Sequence, residues 1–193
     1  MQPLDFRNAI QSELEKGVAH SEIARRIYLS YPTFSFDGKP DREFDIKNLI
    51  STEFDVDIFS IHFAGSGKTG ESYHKNIMFR PGNSDLDAAI ISHSLFLKYL
   101  EETVTVTNGF KDQTAFTGTN EEYDLFRKRL CHGIFIPELM PTCRLKSEWV
   151  MFFENLSHGN VDLFKDINCW IYSSQKIYEW KFSSTITLLE KGL

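Results

Sequence analysis

Asp85 and Asp87 stand one residue apart in Ser84-Asp85-Leu86-Asp87-Ala88, where an apolar run begins. On a β-strand alternate side chains share a face, so the two carboxylates project together while Leu86 turns toward a core. Carboxylates held side by side repel unless a cation lies between them, and Mg²⁺ favours such oxygens together with substrate phosphates. The same pair can also do no more than solvate a strand end. Upstream lies Ala64-Gly65-Ser66-Gly67-Lys68-Thr69-Gly70. Its Gly67-Lys68-Thr69 imitates the end of a P-loop, but the first glycine of that motif falls on position 62, which is His62. The P-loop match fails. A glycine turn after a strand can still receive phosphate on convergent backbone N–H groups.

The combination of a strand ending in Gly-Ser and an acidic pair opening the next apolar strand resembles the nucleotidyltransferase superfamily, the DNA polymerase beta-like fold. Its signature is an apolar residue, Gly-Ser or Gly-Gly, a spacer, and Asp-apolar-Asp-apolar. Ala64-Gly65-Ser66 and Asp85-Leu86-Asp87-Ala88 match it, and the resemblance covers roughly residues 43–92. It implies an α+β fold, a small mixed β-sheet flanked by helices. It also implies an enzyme in which Asp85 and Asp87 are catalytic and coordinate Mg²⁺. Backbone groups near Gly65 and the Ser66 hydroxyl hold the phosphates of a nucleoside triphosphate, ATP first among them. Lys68 adds a cation to that nucleotide-binding group. Ser84 is counted with it and shapes the turn before the strand; Arg80 is the other nearby cation. An acceptor hydroxyl on a protein, an RNA or a small molecule receives the nucleoside monophosphate. Small stand-alone members include toxin–antitoxin and phage-defence components, which leaves room for a protein partner.

Two departures from the family pattern matter. The spacer, 67–84, is longer than is usual. The superfamily commonly places a third acidic residue on a later strand, and here Asn168 is the best-placed inward residue. Asp162 or Asp166 takes that role in another strand register. Without a third carboxylate the alternative is a catalytically degenerate module that binds nucleotide or a partner within a larger assembly.

These residues need elements to hold them. Helical spacing marks residues 4–16, a short helix from His20 with Ser21 as N-cap, 43–54, 94–102, 121–132, 146–157 and 175–191. Strands are expected over 55–64, 86–91 and 167–172. Residues 31–42 read as a loop, and 103–120, rich in Thr, Asn and Gly, as a mobile connection. The order suggests one domain over 1–193, its helical segment 1–42 packed on a 43–193 core. His62 and His74 flank the signature and read as packed or hydrogen-bonded residues. Trp149, Trp170 and Trp180 read as core.

The chain of 193 residues is long enough for one domain with a real core. A net charge of −6 argues against a general nucleic-acid coat. The cluster Arg127-Lys128-Arg129 reads as a solvated helix face. Three scattered cysteines suit reduced thiols. No apolar run reaches the roughly 20 residues that span a bilayer, and the first residues lack the pattern of a signal peptide, so a cytoplasmic location is expected.

Overall fold

The computed structural model describes residues 5–73 and 75–192. The expected part of Leu4 in the first helix, and any role of His74, lie outside the described residues.

Helix α1 (Phe6–Glu15) is opened by Asp5, whose carboxylate accepts the Asn8 N–H at 3.0 Å. Gly17, at φ +72°, turns the chain. Helix α2 (His20–Arg25) runs straight into a π-helical turn, Arg26–Ser30. Ser21 is not its N-cap: extended Ala19 holds that position, and its carbonyl accepts the Glu22 and Ile23 N–H groups. Helix α3 (Pro40–Phe54) starts earlier than residue 43, because a proline in the first turn gives up an N–H that has no helical partner anyway.

The strand expected over 55–64 shrinks to β1 (Ile61–Ala64). Asp55 is left-handed at φ 51° and Ile58–Ser60 forms a 3₁₀ turn, so the alternation read there was not a strand's. A helical turn, α4 (Gly65–Thr69), follows β1 directly. The spacer then folds into a small hairpin, β2 (Glu71–Ser72) and β3 (Ile77–Met78). Strand β4 (Leu86–Ile91) and helix α5 (His93–Val106) come next; Ser92 caps α5 by accepting the Leu95 N–H.

The segment expected to be mobile is tied down in the structure. The Thr107 hydroxyl donates to the Thr103 carbonyl at 2.6 Å, and Phe116 packs on Tyr123 and Phe126. Helix α6 (Asn120–Cys131) begins with a capping box of Thr119 and Glu122. A two-residue strand, β5 (Ile134–Phe135), precedes helix α7 (Arg144–His158). Strand β6 (Ile167–Tyr172) and helix α8 (Gln175–Gly192) complete the described chain.

The result is an α+β fold around a four-stranded mixed sheet in the order β1-β4-β6-β5. β1 runs antiparallel to β4, β4 parallel to β6, and β6 antiparallel to β5. Strand alternation sorts the side chains onto two faces. Phe63, Leu86, Ala88, Ile90, Ile167, Cys169 and Ile171 share one core with Ile46 and Ile50 of α3, Tyr99 of α5, and Trp149 and Phe153 of α7. Ala64, Ala89 and Tyr172 face the other way and pack with Phe6, Ile10, Ile23, Ile27, Tyr178 and Ile186 from α1, α2 and α8. Each such side chain contributes about 1.5–3 kcal/mol when removed from water. Arg25 of α2 clamps Glu179 of α8 through two hydrogen bonds of 2.8 and 2.9 Å. The N-terminal helices therefore share a core with the sheet. No described helix is long and apolar enough to cross a membrane.

Candidate functional site

Leu86, Ala88 and Ile90 are committed to the first core, so the alternation of β4 leaves Asp87 on the second face, while Asp85 stands just before the strand. Asp87 lies opposite Ala64 of β1 on one side and Asn168 of β6 on the other. Gly65 follows Ala64 at φ +61°, and a Cβ there would overlap Asp87 Oδ2. The Gly-Ser turn and the second aspartate are thus in contact. Helix α4 starts at this point, and its first N–H groups have no intrahelical partner. Ser66 is half-buried beside Gly65.

Gly65, Asp87 and Asn168 line one end of a pocket of about 280 Å³. Tyr28, Tyr73, Trp170, Tyr172 and Phe182 wall the remainder, with Lys75 and Lys181 contributing cations. Asp87 is exposed to solvent where it lines the pocket, with protein atoms crowded near its carboxyl. Its carboxyl is pushed above the usual carboxylate range, first by burial and then by the Asp85 charge, with Lys75 pulling partly back. Asp85 is half-buried, and its Oδ1 is shut from solvent with no hydrogen-bond partner among the described residues.

Of the three residues considered for a third ligand, Asn168 is the one in the pocket. Asp162 is held on the surface by Arg42 through bonds of 2.9 and 3.3 Å, which draw its carboxyl below the usual range. Asp166 is exposed and pairs with Lys165 at 3.3 Å. Neither lines the pocket. Among the described residues no group of three or more His, Cys, Asp or Glu side chains is placed to hold a metal. Asp85 does not line the pocket either; the acidic side chains that do are Asp87 and Glu71, and Glu71 is paired with Arg7 at 2.6 Å.

Three expected nucleotide contacts need correction. Ser66 is not among the residues that line the pocket, although it is half-buried beside Gly65. Lys68 does not reach the pocket. It is 3% exposed, its Nζ donates to the Tyr31 carbonyl at 2.5 Å, and desolvation pushes its ammonium down to about 8. It ties α4 to the N-terminal segment, because the residues after β1 coil into a helix instead of an open loop. Ser84 also lies outside the pocket. Its Oγ accepts the Arg80 N–H at 3.0 Å and its carbonyl accepts the Lys165 N–H, so it closes the turn before β4. Arg80 is exposed on that turn. His62 packs on Tyr178, and burial lowers its imidazolium to about 4.

Of the tryptophans, Trp149 is core and donates to Glu138 at 3.0 Å. Trp180 is half-exposed against His132. Trp180 therefore departs from the core reading, whereas Trp170 packs against the second core and also lines the pocket. Sequence reasoning missed Lys75, Lys181, Tyr172 and Phe182. The alternation of β6 could have paired Tyr172 with Trp170 and Asn168. Nothing local marks Lys181, whose helix reaches the pocket only through tertiary packing. Comparison with protein-family models, with curated proteins and with solved structures finds no match for this chain.

Proposed function

We propose that this chain is a Mg²⁺-dependent nucleotidyltransferase that moves a nucleoside monophosphate from an NTP, ATP first among the candidates, to a hydroxyl of a protein, an RNA or a small molecule. The observation that carries this reading is the contact between the Gly65 backbone and the Asp87 carboxylate, with Asp85 two residues before it at the start of the strand. The donor set fits a hard divalent cation. All the donors are oxygens, Asp85 Oδ1 has no hydrogen-bond partner among the described residues, and the Asp85 charge disfavours a second charge on Asp87. When bound, Mg²⁺ supplies charge neutralisation of the phosphates during transfer.

The chain's own groups do the rest. The first N–H groups of α4 offer donors to phosphate oxygens. Asp85 and Asp87 are the carboxylates that would hold the cation. The aromatic walls exclude water from part of the pocket. A place in a toxin–antitoxin or phage-defence system belongs to the same proposal and rests on the resemblance alone, and a cytoplasmic location is proposed with it from the sequence pattern.

A second reading is favoured by one observation. Asn168 stands beside Asp87 in register, and an amide neither carries charge to a metal nor accepts a proton as a carboxylate does. A degenerate module would bind nucleotide without turnover. Pyrophosphate release from each NTP with Mg²⁺ separates the two. The enzyme reading expects release that falls on the order of a hundredfold or more in Asp85→Ala/Asp87→Ala, the loss of a metal's several kcal/mol. Saturable nucleotide binding with no release across an acceptor panel supports the module. Absence of any thermal stabilisation by Mg²⁺ with any NTP refutes both, because a ligand of the folded state at a hundred times its Kd adds about 2.7 kcal/mol.

A further inference from the structure

We propose that the β6 end of the pocket is an acceptor subsite for a phosphate-bearing, nucleotide-sized molecule, held by Arg129 and Lys181 around Trp170. Arg129 comes from the last turn of α6, and its guanidinium carbon lies 5.5 Å from the centre of the Trp170 ring. Arg129 does not itself line the pocket but reaches it through this ring contact, and its Nε is shut from solvent with no hydrogen-bond partner among the described residues. Lys181 comes from α8 and lines the same pocket as Trp170. Among the described residues neither cation forms an ion pair. Burial and the nearby Arg129 charge both weaken the hold of Lys181 on its proton. Two half-buried cations that repel each other make an arrangement that an anion relieves.

The strand order says which anion. This step rests on the nucleotidyl-transfer reading above. β4, with Asp87, stands between β1, which leads into the Gly65 turn, and β6, which carries Asn168 and Trp170. If the triphosphate lies toward Gly65, pyrophosphate leaves on the β1 side, and an in-line hydroxyl must enter from the β6 side. There the acceptor oxygen bonds to the α-phosphorus, the bond from that phosphorus to the bridging oxygen breaks with its electron pair on pyrophosphate, and the hydroxyl proton passes to water. Trp170 is two residues along β6 from Asn168, roughly 7 Å. That is the span between a sugar hydroxyl and a phosphate on the same nucleotide. The aromatic walls suit a planar base.

The test measures binding by calorimetry in EDTA, with AMP and inorganic phosphate as probes, and binding of Mg²⁺ with a non-hydrolysable ATP analogue in parallel. The wild type is expected to bind AMP without metal. Arg129→Gln/Lys181→Gln is expected to lose at least tenfold in AMP affinity and to keep analogue affinity within threefold. Asp85→Asn/Asp87→Asn is expected to show the reverse pattern. Should the double cation variant not fold, Lys181→Gln alone is read, against Arg129→Lys as the charge-retaining control. A 5′-phosphorylated trinucleotide that binds more tightly than AMP assigns the phosphate to an RNA end; equal or weaker binding assigns it to a mononucleotide. No AMP or phosphate binding in EDTA, or binding indifferent to Arg129 and Lys181, overturns the subsite. Equal loss of AMP and analogue in the cation variant also overturns it, since the cations would then serve the triphosphate. AMP binding with the expected pattern but no analogue binding sinks the transfer reading and leaves an anion site.

Discussion

Gly65 carries two independent constraints, a backbone at φ +61° and no room for a Cβ against Asp87 Oδ2. Gly65→Ala therefore has to strain the turn and displace the carboxylate together. A loss of about 1–3 kcal/mol is expected, read as a lower denaturant midpoint, along with loss of nucleotide-dependent stabilisation. Asp87 gives a pH signature. Its folded-state carboxyl holds a proton more tightly than the unfolded chain's does, so stability falls as pH rises through the carboxylate range and stays lower at neutral pH. Asp87→Asn removes that cost. In EDTA it should melt above the wild type at pH 7.5, and the gap should close below about pH 4, where the unfolded carboxyl is also protonated. Saturating Mg²⁺ with nucleotide should reverse the order. Lys68 is expected to behave differently, as a structural residue. Lys68→Met should leave nucleotide affinity within about twofold, yet cost roughly 1–3 kcal/mol by stranding the Tyr31 carbonyl.

At the scale of elements, the acidic pair is held because β4 is pinned on both sides, by β1 antiparallel and by β6 parallel. Caps fix where the surrounding helices start. Thr119→Ala should cost about 1 kcal/mol of stability and leave the pocket intact, since it opens the capping box of α6. β4 and β6 were legible because each is a mostly apolar run, and their register puts Asp87 and Asn168 side by side. β1 was overread, since Asp55, Ile58 and Ser60 alternate by accident while taking left-handed and 3₁₀ conformations. β5 was invisible because two residues carry no period. Lys68 was misassigned because charge and proximity to Gly65 suggested a phosphate ligand, whereas burial against Tyr31 is decided by the fold. Lys181 and Arg129 could not have been found from spacing, since only the fold brings Lys181 to the pocket and Arg129 to the Trp170 ring.

Across the whole molecule, one sheet divides two cores, and the second is closed by α1, α2 and α8. The pocket opens where those helices leave the Asp87 end of the sheet uncovered. Removing residues 1–30 would strip Phe6, Ile10, Ile23 and Ile27 from Tyr178 and Ile186. The shortened chain is expected to lose cooperative unfolding, followed by circular dichroism against denaturant, because the lost burial approaches the whole margin of a small domain. The measurement closest to the central claim is anomalous diffraction from crystals grown with Mn²⁺ and a non-hydrolysable NTP. The ion should appear between the Asp85 and Asp87 carboxylates, within about 2.3 Å of their oxygens, with the phosphates against the start of α4. An ion bound elsewhere, or a nucleotide seated away from Gly65 and Asp87, would contradict the assignment.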